Sequence, residues 1–329
     1  MTAINATLQT FFTDRLTRQK DASAHTIAAY RDTLRLLLVF AAATHEVKVS
    51  SLQWDQLDAP EITAFLDHLK KDRGNGARTR NARLSAIHSL FRYAALHHPE
   101  HAASIARVLA IPPQRVDRHL VDYLDDDECE ALLAAPDRGT WTGRRDHTFL
   151  LVALQTGLRV SELIGLTVGD VHLGAGPHLS CRGKGRKDRI TPLTPQTVGT
   201  LRNWQKEQAP TGSTVLFPTR VGNRLSRDAI EHRIAIHTRT ATGTCPSLAD
   251  KHVSAHVLRD TTAMRLLHAG VDTSVIALWL GHERVDTTQI YITADLKLKE
   301  AAIERTRPLN SARGRYRPTD DILTWLGTL

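Results

Sequence analysis

The chain has 329 residues, with 43 Lys and Arg against 35 Asp and Glu, a net charge of +8. An apolar share of 41% and a charged share of 24% are those of an ordinary globular protein, which excludes a disordered tail, a collagen and a membrane-embedded chain. The longest apolar run, Leu36 to Ala43, is far short of the ~18–20 residues that a membrane span needs, and the basic surplus points to a polyanionic partner.

The length suggests two domains. The opening MTAINATLQTFFTDR has no basic start followed by an apolar block, so no signal peptide is expected. Thr26, Tyr30, Leu34, Leu37 and Phe40 recur at three-to-four-residue spacing, predicting an amphipathic helix with Ser23 as its N-cap. A second stripe runs through Leu84, Ile87, Leu90, Phe91 and Ala94. It opens on Arg78, Arg80 and Arg83, interleaved with Thr79 and Asn81. Such a helix start can offer side-chain donors and backbone N–H groups to phosphates, and Lys70, Lys71 and Arg73 lie just upstream. The rival reading of this patch is a solvated helix end. Pro112 and Pro113 then break helix geometry, so we place domains at 1–111 and 119–308, a linker at 112–118 and a tail at 309–329. The first 118 residues carry 16 cations against 11 acids, whereas 119–308 carry 24 against 22.

The second domain begins with Asp125-Asp126-Asp127-Glu128, which suits a helix N-terminus. Residues 146–156 read as a buried helix stopped by Gly157, and another helix starts at Arg159. Strand-like text at 178–182 and 189–193 flanks a basic turn at 183–188. Helices are expected at 195–208, 226–239, 256–269, 273–280 and 295–306. The fold class is therefore mainly α, an α+β chain with one small sheet.

Three features carry chemistry. Arg182-Gly183-Lys184-Gly185-Arg186-Lys187-Asp188-Arg189 packs five cations around two glycines; it lacks the spacing of a phosphate-binding P-loop and by itself reads as a solvated hairpin tip. His256 and Arg259 are three apart on one helix face, where an imidazole and a guanidinium can hold an anion; alone, such a pair reads as surface. Gly281 ends an apolar helix and is followed by His282 and a polar stretch that reaches Tyr291. The cysteines Cys129, Cys181 and Cys245 form no C-x-x-C, which argues against a disulfide scaffold or a cysteine zinc site. The pairs His97/His101 and His252/His256 lack a third ligand nearby, so neither metal nor cofactor is expected.

Arg159 in TGLRVSELIGL, Lys184 in RGKGRKDR, His256 and Arg259 in HVLRD, His282 in LGHE and then Tyr291 form an ordered set that resembles the tyrosine recombinase family, which includes phage integrases and Xer-type recombinases. The resemblance implies a helical N-terminal core-binding domain and a mostly helical catalytic domain with a small antiparallel sheet. It implies Tyr291 as a nucleophile toward a DNA phosphodiester, giving a 3′-phosphotyrosine and a free 5′-hydroxyl. Arg159 and Arg259 would clamp the phosphate, with His282 hydrogen-bonding to it. Lys184 would protonate the leaving 5′-oxygen, and His256 would assist proton transfer at the tyrosine. Glu162, three residues after Arg159, would orient that cation. Lys70, Lys71, Arg78, Arg80, Arg83, Arg186 and Lys187 would contact DNA.

Two positions depart from the family pattern: Asp260 follows Arg259 where His is frequent, and Ala255 precedes His256 where Pro is frequent. The implied partner is double-stranded DNA carrying a specific recombination site, bound by a homotetramer or with a hetero-partner recombinase, in the cytoplasm at the nucleoid. The tail from Thr319 to Leu326 can form a short capped helix with an apolar patch, which in similar recombinases docks into the neighbouring protomer; the alternative is packing on its own domain. Two rival functions are a DNA-binding protein on an inactive recombinase fold and a type IB topoisomerase-like enzyme.

Overall fold

A computed structural model of the chain describes residues 3–116, 121–182, 188–209 and 212–281. The chain forms two compact units, Met1–His119 and Leu120–Leu329.

The first unit is helical. Helix α1 (Ala3–Thr10) runs on into a π-helical stretch, Phe11–Gln19, and is followed by α2 (Ala24–Thr44), α3 (Ala59–Lys71), α4 (Ala77–Ala94) and α5 (Ala102–Leu109). Ser23 caps α2 as its sequence position predicts, accepting the Thr26 N–H at 3.2 Å. Both apolar stripes face the core. Leu34 and Leu37 are buried from α2, and Leu84, Ile87, Leu90, Phe91 and Ala94 from α4, while Tyr30 and Phe40 pack at its margin. Helix α3 was not singled out in the sequence, yet it buries Ile62, Phe65, Leu66 and Leu69 and is capped by Asp58, which accepts the Glu61 N–H at 2.9 Å. Burying each such side chain stabilises the fold by roughly 1.5–3 kcal/mol.

The proline stretch is not a free tether. Asn81 donates from Nδ2 to the Gln114 carbonyl at 2.7 Å and accepts the Gln114 N–H at 2.8 Å. Arg80 points at the Pro112 carbonyl, 3.5 Å away. The start of the expected linker is thus tied to the opening turn of α4.

The second unit comprises α6 (Asp126–Ala134), α7 (Trp141–Thr156), α8 (Val160–Gly165), strands β1 (Val171–His172), β2 (His178–Arg182) and β3 (Asp188–Pro192), then α9 (Pro195–Gln208), α10 (Arg227–Ala241), α11 (Ala255–His268) and α12 (Thr273–Leu280). The strands form one antiparallel sheet in the order β1-β2-β3, with Cys181 opposite Arg189. The fold is mainly α with one small antiparallel sheet, as expected. The expected spans of α9 and α12 coincide with the structure, and α11 and β3 are each displaced by one residue.

Helix α7 begins five residues before its expected start. Thr140 caps it by accepting the Gly143 N–H at 3.0 Å, and within the polar text Gly143-Arg144-Arg145 both Gly143 and Arg145 are buried. Arg145 is buried because it lies beside Asp146, to which it donates from Nε and Nη2 at 2.9 and 2.7 Å. Asp146 also accepts from Arg233 at 2.5 Å and His237 at 2.8 Å. Burial alone would push its carboxyl upward, but the His237 and Arg145 contacts outweigh that and hold it below the ordinary carboxylate value. The acidic start of α6 is a reciprocal capping box, with Asp125 and Glu128 each accepting the other's N–H at 2.9 Å. Glu128 is also buried and receives Lys251 Nζ at 2.6 Å and Ser247 Oγ at 2.7 Å.

No helix among the described residues is long and apolar enough to cross a membrane. The helix expected at 295–306 and the C-terminal tail lie outside the described residues.

Candidate active site

Arg159 sits at the N-cap of α8, just after the left-handed Gly157 (φ 61°) that ends α7. Glu162, one helical turn on, accepts the Arg159 backbone N–H at 2.7 Å through Oε2 and its guanidinium at 3.0 Å through Oε1. The second Arg159 nitrogen, Nη2, donates to the Gly281 carbonyl at 3.0 Å. Its side chain remains 29% exposed, whereas Glu162 is at 4%. The cation is therefore partly open to solvent while its counter-ion is buried beneath it.

Arg259 reaches the same place from α11. It is buried and donates from Nη1 to the Gly157 carbonyl at 2.6 Å and from Nη2 to the Leu280 carbonyl at 2.7 Å. One guanidinium thus joins the end of α7 to the end of α12. A third, Arg189 on β3, donates from Nη2 to Glu162 Oε2 at 2.8 Å and from Nη1 to the Leu280 carbonyl. Helix C-termini carry partial negative charge, so exposed carbonyls at such an end suit a cluster of cations. Three guanidinium groups converge on the last two described residues before His282.

In the sequence Arg189 stands out only as the last of five cations, at the start of the expected strand 189–193. The alternation of β3 explains why its role was hidden. Thr191 is buried and Ile190 is 66% exposed, so Arg189 shares the inward face with a threonine while the isoleucine points out. A period-two hydrophobic reading assigns the opposite face.

His256 lies at the start of α11, exposed, with Nε2 3.6 Å from Asp260 Oδ2 one turn on. The Asp at this departure position is itself mostly buried and so sets a carboxylate beneath the imidazole. Lys184, His282, Tyr291, Arg186 and Lys187 lie outside the described residues. Strands β2 and β3 pair as far as Arg182 and Asp188, which places Lys184 within the five-residue connection between them.

In the first unit Lys70, Lys71, Arg73 and Arg78 are exposed, and Arg83 is partly buried. Arg80 departs from the expectation of a DNA contact. It is 6% exposed, because the helix turn that presents Arg78 to solvent directs Arg80 inward toward Pro112. Among the described residues no group of three or more His, Cys, Asp or Glu side chains could hold a metal ion.

Comparison with known proteins gives a consistent picture. Residues 122–297 match the model described as "Phage integrase family", and residues 10–98 match "Phage integrase, N-terminal SAM-like domain". The chain is 52% identical over 322 residues to y4rC of Sinorhizobium fredii, which is named as an integrase/recombinase; the match covers 98% of this chain and 97% of that one. It is 35% identical to the tyrosine recombinase XerD of Pseudomonas putida, covering 88% and 94% of the two chains. Among solved structures, the XerA recombinase matches at 25% identity with a TM-score of 0.50, covering 95% and 100%. The XerH recombinase in a pre-cleavage complex with difH substrate shares the fold at a TM-score of 0.65 and 21% identity, covering 92% and 85%.

Proposed function

The chain belongs to the phage integrase family of tyrosine recombinases, and from that premise we propose how its own residues break and rejoin DNA. Tyr291 attacks a backbone phosphodiester, forming a 3′-phosphotyrosine and releasing a 5′-hydroxyl; the reverse attack by a 5′-hydroxyl restores the DNA backbone. The link conserves the bond's energy, so re-ligation needs no nucleotide. Tyrosine has a reference pKa near ~10, and its proton must leave during attack, a transfer that His256 assists. Lys184 protonates the departing 5′-oxygen.

Charge builds on the nonbridging oxygens as the tyrosine attacks. Arg159 and Arg259 meet it with planar, permanently charged forks, joined by His282. The observation that carries this reading is the convergence of both arginines on the backbone at Leu280 and Gly281. Gripping those carbonyls fixes each guanidinium's plane before any phosphate arrives, and it fixes the chain end from which His282 follows.

The first unit acts as the core-binding domain, with Lys70, Lys71, Arg73 and Arg78 supplying phosphate contacts and hence salt-dependent affinity. Four protomers assemble on the synapse of two specific sites, or two pairs do so with a partner recombinase, in the cytoplasm at the nucleoid.

A nicked duplex that traps the covalent intermediate tests the proposal. Wild-type protein is expected to form a 3′-linked adduct on its cognate site, and Tyr291→Phe none. Specific binding with no adduct on any site would leave a DNA-binding protein. Adducts on random plasmid accompanied by relaxation would make it a topoisomerase.

A further inference from the structure

We infer that Arg189 is a positioning residue of the strand-cleavage site, holding Glu162 and the end of α12 in the arrangement that orients Arg159. The inference rests on the recombinase reading above and extends it to a residue outside the expected catalytic set. Glu162 is a shared acceptor: its Oε1 takes the Arg159 guanidinium, and its Oε2 takes both the Arg159 N–H and Arg189 Nη2. A buried carboxylate flanked by two guanidinium groups is held from both sides. Without Arg189 its negative charge acts on Arg159 alone and draws that fork inward, away from the solvent-facing edge where a phosphate would sit.

The second Arg189 contact works on the backbone. Nη1 donates to the Leu280 carbonyl, the same atom that Arg259 grips, so two guanidinium groups share one helix end. Gly281 adopts φ 65°, and a Cβ there would lie 2.5 Å from Arg189 Nη1. The absence of a side chain at Gly281 is what lets Arg189 approach. Arg189 stands on β3 opposite Cys181, two residues after the connection between β2 and β3 ends. The same residue therefore joins the strand pair that carries Lys184 to the helix end that leads to His282. A lysine can satisfy the carboxylate or the carbonyl but lacks the fork to hold both.

The test is a double-mutant cycle on full-length protein, using a nicked duplex built on a cleavage site mapped with the wild-type enzyme. Arg189→Gln is expected to slow adduct formation about 10- to 100-fold, the range for lost hydrogen bonds to charged groups. Binding to a half-site should stay within about threefold. The Arg189→Gln/Glu162→Gln double variant should be no slower than the slower single variant, because both changes disable one unit. Arg189→Lys should recover part of the rate, and it carries the cycle if Arg189→Gln does not fold. Wild-type cleavage by Arg189→Gln overturns the inference, as do losses that multiply in the double variant, since an independent brace of the fold would behave that way. If wild-type protein forms no adduct at any site, the recombinase reading itself fails and this inference falls with it.

Discussion

Arg259→Lys separates the backbone grip that Arg259 makes from the phosphate contact proposed for it. In the folded chain its fork spans the Gly157 and Leu280 carbonyls at 2.6 and 2.7 Å inside a buried setting. Lysine keeps the charge but presents a compact ammonium that cannot bridge both. The Leu280 carbonyl retains Arg189, so the sharper loss falls on the Gly157 carbonyl or on the span itself. An unsatisfied buried acceptor costs about 1–3 kcal/mol, which denaturant unfolding monitored by tryptophan fluorescence would detect as a lowered midpoint. The same change removes a donor to the developing phosphate charge, for which losses of about 10²–10³ in rate are typical. Equilibrium binding of a half-site should change little, since affinity is spread over many phosphate contacts. A variant that cleaves its nicked duplex at the wild-type rate would refute the phosphate role. One that unfolds at the wild-type midpoint would refute the structural grip.

Other outcomes follow from the rest of the molecule. Asp146→Asn should destabilise the second unit by about 3 kcal/mol, because it leaves the buried Arg145 without its carboxylate; a small shift in the denaturation midpoint would contradict this. The carboxyls of Asp146 and Glu128 both lie below their ordinary values of 3.8 and 4.5. Their stabilisation is therefore complete above those values and fades as pH falls through the lowered folded-state ones, so urea midpoints should drop on acidification below about pH 4.5. Gly157→Ala places a Cβ 2.6 Å from Leu280 Cδ2 in a left-handed conformation, and a loss of about 2–4 kcal/mol is expected in the same assay. Deleting residues 319–329 should abolish pairing of two sites while sparing half-site binding, as read by gel mobility; unchanged synapsis would dismiss docking of the tail between protomers.

Some of this was open to reading from the residues alone. The acidic helix start at Asp125–Glu128, the Ser23 cap and the glycine stops at 157 and 281 are local devices, complete within four or five positions, and each stands where its pattern puts it. Ordered motifs likewise pointed to Arg159, Glu162 and Arg259. What escaped was set by distant partners. Arg145 and Asp146 of α7 look too polar to bury until Arg233 and His237 arrive around Asp146 from 87 and 91 residues away. Arg80 resembles its exposed neighbour Arg78 in sequence, and only the returning chain at Pro112 tells them apart. Arg189 hides in a run of cations because its acceptors come from α8 and α12.

The carbonyls of Gly157, Leu280 and Gly281 have a dynamic consequence. Because the acceptors are backbone groups, opening the ends of α7 and α12 would release Arg159, Arg189 and Arg259 together. Fraying of these termini and loss of the clamp then belong to one cooperative event with one free energy. Amide exchange around Leu280 becomes a measure of how often the proposed phosphate clamp stands disassembled. Substitutions that loosen that helix end, even far from any phosphate, would slow strand breakage in proportion to the population they open.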